Sequence, residues 1–242
     1  NTAVDMLSGE GAAGDPEVIE RFIQSRPCDA SFVIDQMLAG QSGLEIIPEQ
    51  IGMSGHSFGG WTTLKTLETD ERIRAALPLA PAGGFTALDA DSVMAKSLNF
   101  TWKREVPVLY IVAELDSILP LEGMQDMFNR NPDPKTTVVL LNADHFHFND
   151  AIEQTHDGYK LILGMLAEGM DEDARHSTET MMAGMKPSSE LVAGADAYAL
   201  INGLGLALFD RELRGSQEAA SFLNGDLVAI LAERHINVKL LL

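Results

Sequence analysis

Short apolar runs alternate with mixed, helix-like stretches over the first 150 residues of the chain. Four of these runs have the length and composition of buried strands, at residues 51–53, 73–79, 107–113 and 136–141. The run 107–113 is continuous and rich in β-branched residues, which is typical of a parallel strand covered on both faces. Helices are predicted between the runs, near 91–97 and over 121–128. The alternation predicts an α/β fold with a mostly parallel sheet flanked by helices.

The chain before the first predicted strand has the pattern of a loop followed by a helix. Residues 1–16 are rich in Gly, Ala and Asp and are predicted as a loop, and 17–24 have room for one or two helical turns. From Asp29, whose side chain suits an N-cap, apolar residues recur at helical spacing. A helix is therefore predicted over 29–38, ended by Gly40.

Beyond Asp150 the pattern is helical only. Helices are predicted at residues 151–166, 188–213 and 217–233, and the acidic stretch 171–180 is expected to face solvent. No repeat and no Ser/Gly/Pro-rich linker divides the chain. We therefore predict a single domain over residues 1–242, with an α/β core at 26–150 and a helical C-terminal segment at 151–242.

Composition narrows the classes of partner. The 242 residues include 17 Lys and Arg against 36 Asp and Glu, a formal net charge of −19, which argues against nucleic acid and anionic membranes as partners. No apolar run approaches the roughly 20 residues that span a bilayer. No signal peptide is visible at the start of the sequence, and the compartment is left open. The single cysteine, Cys28, excludes an intrachain disulfide.

The turn after the first predicted strand carries the candidate chemistry. Residues 55–59 read Gly-His-Ser-Phe-Gly and match G-x-S-x-G, the pattern of a nucleophile elbow. Gly55 and Gly59 remove side chains that would collide in a sharp strand-to-helix turn, and Gly60 lets the helix approach its neighbour. Ser57 is predicted as a nucleophile at a helix N-terminus, where free N–H groups and the helix dipole favour developing negative charge.

A serine nucleophile requires a base and an orienting acid, and the sequence offers both in the expected order. Asp116 follows the strand 107–113, and His145 follows the strand 136–141. Glu114 is a competing acid that stands closer to its strand, and a carboxylate in this loop can also serve only as a helix cap. His147 competes with His145, which follows its strand at the shorter distance.

The other histidines are assigned no catalytic role. His56 is adjacent to Ser57 in a strained turn that points it away, so it is interpreted as structural. An H-x-H pair at 145–147 is able to ligate metal, but no third ligand is evident nearby, so neither a metal site nor a cofactor is predicted. The remaining histidines, His156, His176 and His235, lie in helical or acidic stretches.

Three stretches together resemble the serine α/β-hydrolases: GHSFGGWTTL at the elbow, AELDSILP, and NADHFHFND. The chain is most similar to the dienelactone-hydrolase-like and platelet-activating-factor-acetylhydrolase-like esterases, over roughly residues 26–215. The resemblance implies an α/β-hydrolase fold with Ser57 as nucleophile, Asp116 as acid, His145 as base and the Phe58 N–H as one oxyanion donor. Dienelactone hydrolases use cysteine as nucleophile, so serine points to the esterase and lipase side. The stretches GHS-x-GG and ELDSI-x-P also resemble bacterial polyester hydrolases, but Ala82 stands where they carry an aromatic platform, so polymer cleavage is a weaker inference.

The expected activity is hydrolysis of a small-molecule ester through an acyl-enzyme. Ile118, Leu119 and Phe146 are expected to line a pocket for small or medium acyl groups. Acyl transfer or peptide cleavage would use the same triad.

The resemblance also implies strands before the helix that leads to the elbow, and residues 1–28 contain no convincing strand. We therefore expect that a missing N-terminal segment or a second chain completes the sheet and supplies the second oxyanion donor. The alternative is a catalytically silent module that binds a partner through the exposed edge of the sheet.

Overall fold

The computed structural model describes residues 16–87 and 89–241. In chain order the elements are α1 (Pro16–Leu38), β1 (Ile51–His56), α2 (Phe58–Thr69), β2 (Ile73–Leu79), α3 (Val93–Ser97), β3 (Val108–Ala113), α4 (Leu121–Arg130), β4 (Lys135–Leu140), α5 (Ile152–Ala167), α6 (Glu172–Gly184), α7 (Gly194–Arg214), α8 (Gln217–Leu223), α9 (Leu227–Ala232) and β5 (Val238–Leu241). The described residues also form 3₁₀ turns at His145–Phe148 and Ser188–Glu190. The loop predicted for residues 1–16 falls outside the described residues except for its last position.

In the described ranges the strands form one sheet in the order β1-β2-β3-β4-β5. β1 to β4 are parallel, as predicted, and β5 joins β4 antiparallel with Val138 opposite Leu240. The prediction that the chain beyond Asp150 is only helical is therefore wrong at its end. In a run of four residues the spacing of apolar side chains does not distinguish a strand from a helix. Val238–Leu241 forms a strand because it pairs with the otherwise open edge of β4.

Helices cover both faces of the sheet. Successive side chains of β3 point alternately into two hydrophobic cores, one on each face. Leu109 and Ile111 face a core that is completed by α7, α9 and β5, whereas Tyr110 and Val112 face a core that is completed by α2 and α4. The strand is buried at every position, which explains why its sequence is continuously apolar. Burial of each large apolar side chain contributes roughly 1.5–3 kcal/mol, so both layers hold β3 in place.

α1 is longer than the predicted helix. It begins at Pro16 and continues through Pro27, so Asp29 lies inside the helix and the prediction of Asp29 as an N-cap is wrong. A proline removes one helical hydrogen bond, but the burial of Phe22 against the rest of the protein stabilises the turns before it. The helix ends at Leu38, and Gly40 then adopts φ 78°, as predicted for a terminating glycine.

The C-terminal helices follow the predicted pattern with shifted bounds. The predicted helix 188–213 is a 3₁₀ turn followed by α7, and the predicted helix 217–233 is divided into α8 and α9. The acidic stretch forms α6, in which no residue is buried. Of the described helices, none is by itself long and apolar enough to cross a membrane; residues 172–190 and 194–214 meet that test only together, with a bend of 91° between them.

Within the described part of the chain β1 pairs with β2 alone, which leaves one edge of β1 open. Large apolar side chains on α1 and on the loop leading into β1 are also exposed: Phe32 by 60%, Val33 by 57%, Leu44 by 64% and Ile47 by 51%. Unpaired strand groups and exposed apolar side chains are features of a surface that a further polypeptide segment can cover.

Candidate active site

The predicted elbow is a sharp turn between β1 and α2. Ser57 has φ 57° and ψ −117°, a conformation that L-residues rarely adopt and that costs about 1–3 kcal/mol. A Cβ on Gly55 would lie 2.3 Å from the Gly59 carbonyl oxygen, and one on Gly60 would lie 2.7 Å from Cβ of Pro81. The expected roles of these two glycines are therefore confirmed. A Cβ on Gly59 would meet no described atom within 4 Å, so the expected collision there is wrong: the tight contact is made by the backbone of Gly59.

The backbone around Ser57 is held by its neighbours in the sheet. The Ser57 N–H donates to the carbonyl of Leu79, and the Ser57 carbonyl accepts from Ala82. These bonds, of 2.9 and 3.0 Å, fix the strained residue against the end of β2. Phe58, the first residue of α2, has no acceptor one turn earlier in the helix, which leaves its N–H available beside Ser57.

Three side chains from separate loops meet at the carboxyl ends of the strands. Ser57 Oγ lies 3.0 Å from Nε2 of His145, and Nδ1 of His145 lies 2.9 Å from Oδ2 of Asp116. His145 and Asp116 are 3% and 8% exposed, so water competes little for these contacts. An ionised Asp116 accepts the Nδ1–H of a neutral imidazole, which leaves the Nε2 lone pair for the Ser57 hydroxyl proton.

The second oxygen of Asp116 is used to hold its own loop. Oδ1 accepts the N–H groups of Ile118 at 3.0 Å and Leu119 at 2.6 Å. α4 begins later, at Leu121 with Pro120 as its N-cap, so Asp116 does not cap that helix. The carboxylate is thus fixed by backbone donors on one oxygen and presents the other to His145.

Glu114, the competing acid, is engaged elsewhere. One of its oxygens accepts the Asn142 N–H at 3.1 Å, and the other lies 2.8 Å from Nζ of Lys239 on β5. The bond from Lys239, and then the bond from Asn142, lowers the pKa of Glu114. Glu114 therefore links β3, β4 and β5 and is not hydrogen-bonded to His145.

The neighbouring histidines are occupied by backbone groups. His147 donates Nε2–H to the carbonyl of Val192 at 3.0 Å, and its Nδ1 accepts the Asp144 N–H at 2.9 Å. His56 donates Nε2–H to the carbonyl of His145 at 3.0 Å, with the two rings 4.6 Å apart. Burial, followed by the charge of a protonated His145, lowers the pKa of His56 from 6.5 to about 4. Within the described residues no three His, Cys, Asp or Glu side chains are placed to hold a metal ion.

The three residues predicted to line an acyl pocket lie in different surroundings: beside the His145 ring, in the loop that carries Asp116, and against the core. The Phe146 ring lies edge-on to the His145 ring, with 5.7 Å between the ring centroids. It also packs against the Tyr159 ring, with 4.7 Å between centroids. Ile118 is half-buried in the loop that carries Asp116. Leu119 packs against the core under α2 and lines a cleft beside Pro81, so its side chain serves that core as well.

Asp144 is a residue of this site that the sequence pattern did not single out. It is 1% exposed, and its carboxylate accepts hydrogen bonds from Ser117 and from the His145 N–H. The available signal was its position between strand β4 and the candidate base, where a buried carboxylate needs donors from nearby loops.

No family model matches the chain, but sequence and structure comparisons find relatives. Cutinase est1 of Thermobifida alba is 30% identical over 182 residues, which cover 72% of this chain and 54% of the cutinase. Lipase 1 of Moraxella sp. (strain TA144) is 30% identical over 124 residues, which cover 50% of this chain and 34% of the lipase. A solved structure of a ferulic acid esterase from Streptomyces cinnamoneus matches with a TM-score of 0.59 at 22% identity, over 96% of this chain and 58% of that one.

The chain thus spans about half the length of the curated relatives it matches, since 54% of the cutinase is covered. These relatives do not single out the dienelactone-hydrolase-like or acetylhydrolase-like subgroup, so that narrower resemblance stays a prediction. The structural match and the mostly parallel sheet show the fold class that the sequence predicted. The chain has an α/β-hydrolase fold.

Proposed function

We propose that this protein hydrolyses carboxylic esters, with Ser57 as nucleophile, His145 as base and Asp116 as orienting acid. The observation that carries the proposal is the continuous Ser57–His145–Asp116 contact, at 3.0 and 2.9 Å, beside a helix N-terminus. The sequence similarity to a cutinase and a lipase supports the same reaction class.

The reaction proceeds in two halves. His145 Nε2 takes the hydroxyl proton as Ser57 Oγ attacks the acyl carbon, and the carbonyl π electrons move to the oxygen to give a tetrahedral oxyanion. The Phe58 N–H and the N-terminus of α2 stabilise that charge. The intermediate collapses to an acyl-enzyme as the alcohol leaves with the proton held by His145. Water then gives a proton to His145 as its oxygen attacks the acyl carbon. The second tetrahedral intermediate collapses, the bond to Ser57 Oγ breaks, and His145 returns the proton to Ser57 Oγ as the acid is released.

We propose a small or medium acyl group as the preferred substrate portion. Phe146 lies against the His145 ring and Ile118 is half-buried in the adjacent loop, so both offer apolar surface near the reacting serine. Leu119 contributes to the same loop, although its side chain also packs against the core.

We also propose that additional strands, from a longer chain or from a second chain, pair with the open edge of β1 and provide a second oxyanion donor. The unpaired edge and the exposed Phe32, Val33, Leu44 and Ile47 support this proposal. Loss of one oxyanion donor typically costs about 10²–10³ in kcat, so completion of the sheet would raise activity by a similar factor.

An active-site-directed fluorophosphonate tests the assignment of the nucleophile. We expect the probe to label Ser57 and the Ser57→Ala variant to lose both labelling and ester hydrolysis, the latter by at least about 10⁴-fold. Ser221→Ala removes an exposed serine of α8 and serves as the matched control that keeps the label. Absence of labelling in the intact protein would rule out the proposed mechanism.

The open β1 edge also favours a second candidate function, a catalytically silent module that binds a partner through that edge. Size-exclusion chromatography with light scattering separates the two. A stable, unlabelled monomer favours the silent module, whereas a complex with a complementing chain that gains labelling favours the enzyme. Product analysis with added alcohol or peptide then distinguishes hydrolysis from acyl transfer and peptide cleavage.

A further inference from the structure

The acid and the base of the proposed triad lie on different loops, and a buried carboxylate joins those loops. Asp144 precedes His145 after β4 and is 1% exposed. Its Oδ1 accepts the Ser117 N–H at 2.9 Å, the Ser117 Oγ–H at 2.8 Å and the His145 N–H at 2.6 Å. Ser117 is the residue next to Asp116, so a single oxygen fixes the backbone beside both the acid and the base.

The backbone of His145 is held on both sides. Asp144 takes its N–H, and His56 donates to its carbonyl at 3.0 Å. His147 anchors the same turn, because its ring accepts the Asp144 N–H and donates to the carbonyl of Val192 before α7. The imidazole of His145 therefore extends from a peptide unit whose polar groups have fixed partners.

We infer that Asp144 is a positioning residue that sets the Asp116–His145 hydrogen bond, an inference that rests on the proposed ester hydrolysis. Asp144 forms no hydrogen bond with Ser57, so it acts through Ser117 and His145, the two residues whose groups it holds. Its carboxylate is suited to this task because an ionised oxygen accepts several donors at once and binds them more strongly than a neutral acceptor does. Loss of that anchor lets the loops carrying Asp116 and His145 move independently, and a displacement of about 1 Å at a catalytic group can cost about 100-fold in rate.

Asp144→Asn is the main test, and Glu114→Gln is its matched control. Glu114 is also a carboxylate that accepts a backbone N–H across the β3 and β4 loops, but it is tied to Lys239 and not to the triad. We expect Asp144→Asn to slow fluorophosphonate labelling of Ser57 by about 10- to 100-fold, with KM for a soluble ester unchanged. Glu114→Gln should label as the wild type does.

A proton NMR spectrum reports the same contact without any turnover. The Nδ1–H of His145, shared with Asp116, should give a low-field signal in the wild type that Asp144→Asn weakens or shifts and Glu114→Gln keeps. Ser117→Ala removes only the hydroxyl donor to Asp144. It should change the labelling rate and the NMR signal in the same direction as Asp144→Asn, but by a smaller amount. This variant serves as the test if Asp144→Asn does not fold. The inference is wrong if Asp144→Asn and Ser117→Ala both show the wild-type NMR signal and labelling rate, or if Glu114→Gln changes them as much as Asp144→Asn does. Failure of the wild type to label would overturn the proposed hydrolysis alone, since the NMR comparison still decides the role of Asp144.

Discussion

Replacement of His56 by glutamine should make the protein less sensitive to acid. In the wild type, His56 is neutral and donates Nε2–H to the carbonyl of His145. Burial, and then the charge of His145, lowers the pKa of His56 from 6.5 to about 4. Glutamine has an amide N–H that can replace this donor, but it carries no titratable group in this pH range.

The sign and size of the effect follow from proton uptake on unfolding. Between the unfolded pKa of 6.5 and the folded pKa of about 4, the unfolded chain holds a proton on His56 and the folded chain does not. His56 therefore takes nothing from the free energy of unfolding above pH 6.5. Its destabilising effect grows as the pH decreases toward 4. At about 1.4 kcal/mol for each pH unit, the loss approaches about 3 kcal/mol across this window.

Urea unfolding at a series of pH values from 7 to 4 measures this difference. The free energy of unfolding of wild type minus that of His56→Gln should fall by about 3 kcal/mol over the series, while effects common to both proteins cancel. His176→Gln removes an exposed imidazole on α6 and controls for the loss of one histidine. Parallel loss of stability in the wild type and His56→Gln would refute the reasoning, because His56 would then not be kept neutral by its surroundings.

Two further predictions compare matched pairs of variants by urea unfolding. Gly55→Ala places a Cβ 2.3 Å from the Gly59 carbonyl oxygen and should cost about 1–3 kcal/mol and slow labelling of Ser57, whereas Gly59→Ala should keep its stability; equal costs would contradict the geometry of the elbow. Leu200→Ala empties a fully buried position on α7 and should cost about 2–5 kcal/mol, whereas Leu206→Ala, 62% exposed on the same helix, should change stability by no more than about 0.5 kcal/mol. A small loss at Leu200 would show that α7 does not form part of the core.

Local pattern was sufficient for β1 to β4 and for the elbow turn. β3 is recognisable because alternate residues such as Leu109 and Tyr110 face two different cores and both must be apolar. The elbow is recognisable because Gly55 and Gly60 lack the Cβ atoms that would collide within the turn or directly beside it. Each of these features is encoded within a short stretch of sequence, so predicting it does not require knowing which distant residues it contacts.

Longer-range features were harder to predict. The start of α1 is not evident from the sequence, because Asp29 suits an N-cap whereas the burial of Phe22 extends the helix toward Pro16. β5 is not evident from the sequence either, because Val238–Leu241 becomes a strand through its pairing with β4. In each case the local signal was outweighed by a contact with a distant part of the chain.

The sequence by itself determined the order of β1 to β4 and of the helices between them, the strained turn at Ser57 and a short set of candidate acids and bases. Only the tertiary structure decided that Asp116 rather than Glu114 contacts His145, that His147 bonds to Val192, and that Asp144 joins the two loops. The physical reason is that a side chain's role depends on which donor or acceptor lies within about 3 Å of it. That distance is set by the packing of strands far apart in sequence, which residue spacing within a single loop does not report.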